Sequence, residues 1–256
     1  MRIPTWRTRS GGTPSATARP DARAAIRVGL PRILNAWSTH QFWVGFLTAL
    51  GVEPGNIVFS GETSEEQFRE FGKGRGTVDC CYPVKCATGH YGQLIAGQKR
   101  KLDVLLSPMI YSLPSFLQGH VVDTLACPRV MAAPESARAG FLKEGDAFAE
   151  HGIRYVSPFV ALGDPRVVPG QLHAALKDVL ALDRQETERA VAAGFAALDA
   201  FNRALRAKAR EVLSACARER RPCVLVLGRP YHMDPGIGHE IEAQLQAGGY
   251  PVLWAQ

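Results

Sequence analysis

Along residues 26–165, short apolar runs alternate with longer segments whose apolar residues recur at helical spacing. Residues 26–30 (IRVGL), 56–59 (NIVF), 102–106 (LDVLL) and 153–156 (IRYV) read as strands, being short, rich in branched residues and bounded by Gly, Pro or Asn. Between them, residues 40–50 (HQFWVGFLTAL) read as a helix that Gly51 stops. Thr63 and Glu66 form a T-x-x-E capping box, opening a polar helix that ends in the glycines of GKGRG. Residues 83–97 and 135–152 read as two more helices, and 127–131 as a further strand. Consecutive strands joined by helices need crossover connections. The expectation is therefore an α/β fold, a doubly wound and mainly parallel sheet covered by helices on both faces.

Residues 166–220 change character. Residues 171–182 and 184–219 are rich in Ala, Leu and Arg with no internal proline, so they predict a long helical connector. Beyond it lies a partial second α/β unit, 221–256: a strand at 222–227 (PCVLVL), a helix at 238–247 and a strand at 251–255. Two parallel strands alone leave apolar faces and unpaired edges in water, so this unit is expected to associate or to need cover from elsewhere.

The formal charge of +6 suggests nucleic acid until it is divided along the chain. Residues 1–25 hold Arg2, Arg7, Arg9, Arg19 and Arg23 against Asp21, which is four of the six charges, and the remainder is nearly neutral. No nucleic-acid partner is expected. That Arg-, Ser-, Thr- and Pro-rich tail cannot bury a core and reads as disordered. No run approaches the length of a membrane span, and no secretory h-region is present. A soluble, cytoplasmic protein without a membrane partner is the expectation, and its six cysteines should stay reduced.

The cysteines are unevenly placed. Cys80, Cys81 and Cys86 fall in DCCYPVKCATGHY, where Pro83 suits the start of a helix; unpaired N–H groups and the positive helix end then favour thiolate or an anionic cluster. Cys127, followed by Pro128, is the next candidate, because loops after two strands would meet at the sheet edge where open α/β folds bind ligands. Three readings stay open for Cys80, Cys81, Cys86 and Cys127: cluster ligands, a Cys3His zinc shell including His90, or small packing thiols. Cys216 and Cys223 read as packing residues. A second motif, GRPYHMDPGIGH (228–239), follows a strand; Asp234–Pro235 should open a helix there, leaving Arg229, Tyr231, His232 and His239 to line a crevice as substrate-binding residues.

VGLPRILNAW (28–37) with the following FW (42–43), CYPVK with Gly89–His90, the Cys127–Pro128 pair and GRPYHMDPGIGH resemble the 2-hydroxyacyl-CoA dehydratase D-component-like proteins related to CoA-substrate-specific enzyme activases. The resemblance implies a [4Fe-4S] cluster held by cysteines, an ATP-dependent activase as electron-donating partner, and dehydratase-like lyase chemistry on a CoA thioester. Cys81 and Cys127 match that pattern directly. Cys86 stands where many relatives carry an aliphatic residue, and Met109 where many carry a cysteine. No phosphate-binding loop is visible, so ATP hydrolysis is expected of the partner. The alternative is a non-catalytic α/β regulatory or scaffold module, with zinc or no metal.

Overall fold

A computed structural model describes residues 20–76, 79–115, 120, 124–143 and 145–255. The chain is α/β, as the alternation requires. Four strands, β1 (Val28–Leu30), β2 (Ile57–Phe59), β3 (Val104–Leu106) and β5 (Arg154–Val156), form a sheet in the order β2-β1-β3-β5. All three pairings are parallel, with Val28 opposite both Ile57 and Val104, and Leu105 opposite Tyr155.

The pleat sends alternate side chains into two cores. On one face Val28, Leu30, Val104, Leu106 and Val156 pack against α1 (Ala36–Ala49), α4 (Val168–Leu180) and the first half of α5 (Arg184–Glu219). On the other, Leu105, Val58 and Tyr155 pack against α2 (Tyr82–Ala96) and α3 (Pro128–Leu142). Helices cover both faces, which is the doubly wound arrangement.

Beyond the carboxyl ends of β3 and β5 the strands run on after Pro108 and Pro158. There β4 (Met109–Ser112) and β6 (Phe159–Ala161) make a separate parallel pair. A third pair, β7 (Val224–Val226) with β8 (Val252–Trp254), is parallel and joined to neither of the others. Between its strands lies α6 (Ile241–Ala247). No helix among the described residues is long and apolar enough to cross a membrane.

Three local expectations change. Residues 127–131 are not a strand: Cys127 is the N-cap of α3 and Pro128 its first residue, a position where the missing N–H costs nothing. Thr63 is not the cap of the next helix. Ser64 takes that place, its hydroxyl accepting from the Gln67 N–H at 3.1 Å, and a π-helical turn, Phe68–Gly72, follows. Most of the basic tail, residues 1–19, lies outside the described residues. Its end, Pro20–Ala24, is a short helix. Arg23 there is 3 % exposed, with its guanidinium on the Leu50 carbonyl at 3.0 Å and on the Glu186 carboxylate at 2.5 and 2.9 Å.

Candidate functional site

Two helices begin in the same way at the carboxyl edge of the sheet. Cys81 caps α2 with Pro83 in its first turn, and Cys127 caps α3 with Pro128 in first place. Each has extended φ/ψ (−62°, 154° and −59°, 129°), and neither side chain caps its own helix by a hydrogen bond. The helices pack side by side. Both thiols therefore sit at helix N-termini, beside unpaired N–H groups and the positive end of a macrodipole. The approach to Cys127 is laid antiparallel to β4 through the Ser112–Leu125 bridge and the Ala126 N–H to Tyr111 carbonyl bond of 2.9 Å. Met109 opens that same strand.

Tyr231 lies near both caps. It is half-buried and packs on the α2–α3 core. Burial raises its hydroxyl above the usual phenol range, and Cys127 and then Cys81 stand near enough to raise it further electrostatically. Arg229 offsets this in part and points its guanidinium at the Leu125 carbonyl, 3.5 Å away. Of the residues expected in the crevice, the structure thus brings together Cys81, Cys127, Arg229 and Tyr231. His239 flanks them, its ring stacked on Tyr82 at 5.4 Å while the Tyr82 hydroxyl donates to the Gly236 carbonyl at 3.2 Å. His232 turns to its own loop, with Nδ1 3.2 Å from the Arg229 carbonyl.

Cys80 and Cys86 lie elsewhere. Cys80 lines a cavity of about 470 Å³ on the outer side of α2, with Phe68, Arg75, Lys85 and Ser136. Burial and the neighbouring Cys81 raise its thiol. Cys86 is buried beside Tyr82, and burial raises its thiol too.

The GRPYHMDPGIGH segment is fastened by a chain of hydrogen bonds through the interior. The Arg32 N–H donates to the Ser60 hydroxyl at 2.7 Å, and Ser60 meets His90 Nδ1 at 2.8 Å. His90 Nε2 meets the Thr63 hydroxyl at 2.9 Å, and Thr63 donates to Asp234 Oδ2, which also accepts from Trp37 Nε1–H at 3.1 Å. One proton assignment satisfies every member: Ser60 donates to Nδ1, Nε2–H donates to Thr63, and Asp234 is ionised. Desolvation holds His90 neutral, its pKa lowered to about 3. Burial opposes the Asp234 charge and raises its pKa, while Thr63, Trp37 and the Gly236 N–H favour the carboxylate. Gly236 itself rests on Thr63, where a Cβ would collide with the carbonyl oxygen.

With both ring nitrogens engaged, His90 has no lone pair left for a Cys3His zinc shell. A four-thiolate cluster needs four converging ligands. Cys81 and Cys127 fit as a pair, but among the described residues no group of three or more His, Cys, Asp or Glu side chains is placed to hold a metal ion. The described residues by themselves do not assemble such a ligand set.

Residues 27–256 match the model of a family described as the CoA enzyme activase uncharacterised domain (DUF2229). The chain belongs to that family. Among curated proteins and solved structures, none matches it. In this CoA enzyme activase domain, the stretches that carry its resemblance to activase-related proteins are the ones that meet in space. The Cys81–His90 stretch and GRPYHMDPGIGH touch through Tyr82–His239 and through the Thr63 link between His90 and Asp234. The sequence marks Thr63 only as a helix cap and Trp37 only within VGLPRILNAW, and it does not mark Ser60, because a threonine, a serine and a tryptophan far apart along the chain carry no local signal of joining one network.

Proposed function

We propose that this CoA enzyme activase domain is a redox component that works with an ATP-dependent activase on a CoA thioester, with the Cys81–Cys127 crevice as its electron-accepting site. The observation that carries the reading is the pair of thiols at two neighbouring helix starts with Tyr231 and Arg229 set against them. An iron–sulfur group attached there would supply one-electron chemistry, with the rest of its ligands coming from outside the described residues. The chain's own part is electrostatic. Helix N-termini and Arg229 set positive potential around the pair, and Tyr231 keeps its proton beside them. ATP binding is assigned to the partner, since the sequence shows no phosphate loop.

Anaerobic reconstitution with iron and sulfide tests this. Bound iron, acid-labile sulfide and broad visible absorbance are expected in the unaltered chain. Cys81→Ser or Cys127→Ser should remove most of the iron, while Cys216→Ala and Cys223→Ala keep it; equal loss in all four overturns the site. The count of two converging thiols favours one other reading, a non-catalytic α/β scaffold of the same family. A colourless protein that takes up no iron under these conditions would establish it.

A further inference from the structure

The long helix α5 ends in a tight reversal. Arg220 adopts a left-handed conformation (φ 50°, ψ 36°), its N–H bonds back to the Ala217 carbonyl at 3.3 Å, and the Arg221 N–H reaches the Cys216 carbonyl at 3.1 Å. These are the two bonds of a Schellman motif, which fixes where the chain goes next. It returns Cys223 toward the last turn of the helix, where burial raises its thiol and Cys216 stands near enough to raise it further. Cys216 is 4 % exposed and Cys223 half-buried. Cys223 stands directly before β7, whose first residue bonds to the Pro251 carbonyl at 2.9 Å. A single buried thiol is inert packing, but two brought near each other by a fixed turn can be joined.

We propose that Cys216 and Cys223 are a reversible dithiol–disulfide pair that, when oxidised, ties the end of α5 to β7. The oxidant is an anionic low-molecular-weight disulfide of the glutathione class, favoured by the exposed Arg218 and Arg220 beside the pair. One cysteine thiolate attacks the disulfide and releases one glutathione thiolate. The second cysteine thiolate then attacks the protein sulfur of that mixed disulfide and releases the other. Two protein thiols are oxidised, one external disulfide is reduced to two thiols, and the two protons pass to solvent or to the released thiolates. This pair is separate from the Cys81–Cys127 crevice and does not depend on it.

Arg218 and Arg220 lie between the two cysteines, so trypsin separates their peptides unless a disulfide joins them. The test is to equilibrate the folded full chain with oxidised glutathione, block remaining thiols with an alkylating agent in denaturant, digest without reductant and read the masses. The expected result is the loss of two alkylatable thiols, with the peptides of Cys216 and Cys223 in one species that dithiothreitol splits. Cys216→Ser should instead leave a glutathione adduct on Cys223 and no joined species. Full alkylation of both cysteines after oxidation overturns the proposal. So does the appearance of each in a disulfide with Cys80, Cys81 or Cys127.

Discussion

Replacing the Asp234 carboxylate removes the acceptor for two side-chain donors at once, Thr63 and Trp37, and for the Gly236 N–H that opens the motif's short helical turn. Donors left unpaired in a buried site cost about 1–3 kcal/mol. Asp234→Ala should lower unfolding stability by about that amount in urea titrations; a change within the error of those titrations would show that the network does not hold the motif. His90 sets a pH dependence of definite sign. Its folded pKa of about 3 lies below the ordinary 6.5, so between those values the unfolded chain takes a proton that the folded chain excludes. This part of the stability is complete above pH 6.5 and falls on acidification, by about 1.4 kcal/mol per pH unit. Asp234 works in the opposite direction, because its raised pKa lets the folded state hold a proton more readily than the unfolded one. Urea midpoints of the unaltered chain and of His90→Gln, measured from pH 7 to pH 4.5, separate the two. The difference should close as the pH falls, and a constant gap would mean that His90 does not stay neutral.

Elements in this fold approach one another through small residues. The π-helical turn Phe68–Gly72 lies so close on α2 that a Cβ at Gly92 would run into the Phe71 carbonyl oxygen. Gly92→Ala should therefore cost about 1–3 kcal/mol despite the better helix propensity of alanine. A thermal melt that rises instead would place the two elements further apart than described. The same scale shows what a reader of the sequence can and cannot see. The four central strands were legible because their apolar residues are bounded by turn formers and feed two cores in alternation. The β4–β6 pair was hidden by Pro108 and Pro158, which look like strand ends when they mark where one pair gives way to the next. Helix α3 was misplaced toward its later half: C-P-R-V-M mimics the alternation of a strand, and Pro134 argues against an uninterrupted helix. Packing of Val130, Ala133, Ala137 and Phe141 overrides that local cost. Cys81 is legible as a helix-start thiol from Pro83, whereas Cys127 reads into a strand and its place as the cap of α3 comes only with the fold. That they share Tyr231, and that Cys80 and Cys86 do not join them, is tertiary information with no local trace.

At the scale of the whole molecule, the most exposed large apolar side chains among the described residues are on β7 and just after it. Leu225 is 60 % and Leu227 77 % exposed. Parallel strands with open edges and apolar faces are prone to pair with other chains. Sedimentation velocity is expected to show self-association that increases with concentration, and Leu225→Lys with Leu227→Lys should reduce it; a monomer at every concentration would refute this. The path of the chain between that pair and the sheet has a mechanical consequence. Helix α5, 36 residues and so about 54 Å long, packs its first half on α1 and carries its second half clear of the sheet. The segment after β7 then comes back to Thr63 and to Trp37, at the end of α1 where His40 meets Phe201 edge-on in the middle of α5. Helix and return segment thus work as a boom and its stay. A load on the outer end compresses the one and tightens the other, and the stay is anchored a few residues from Tyr231, at the Asp234 carboxylate. A displacement of the far unit therefore bears first on the Asp234 links to Thr63 and Trp37, three residues from Tyr231.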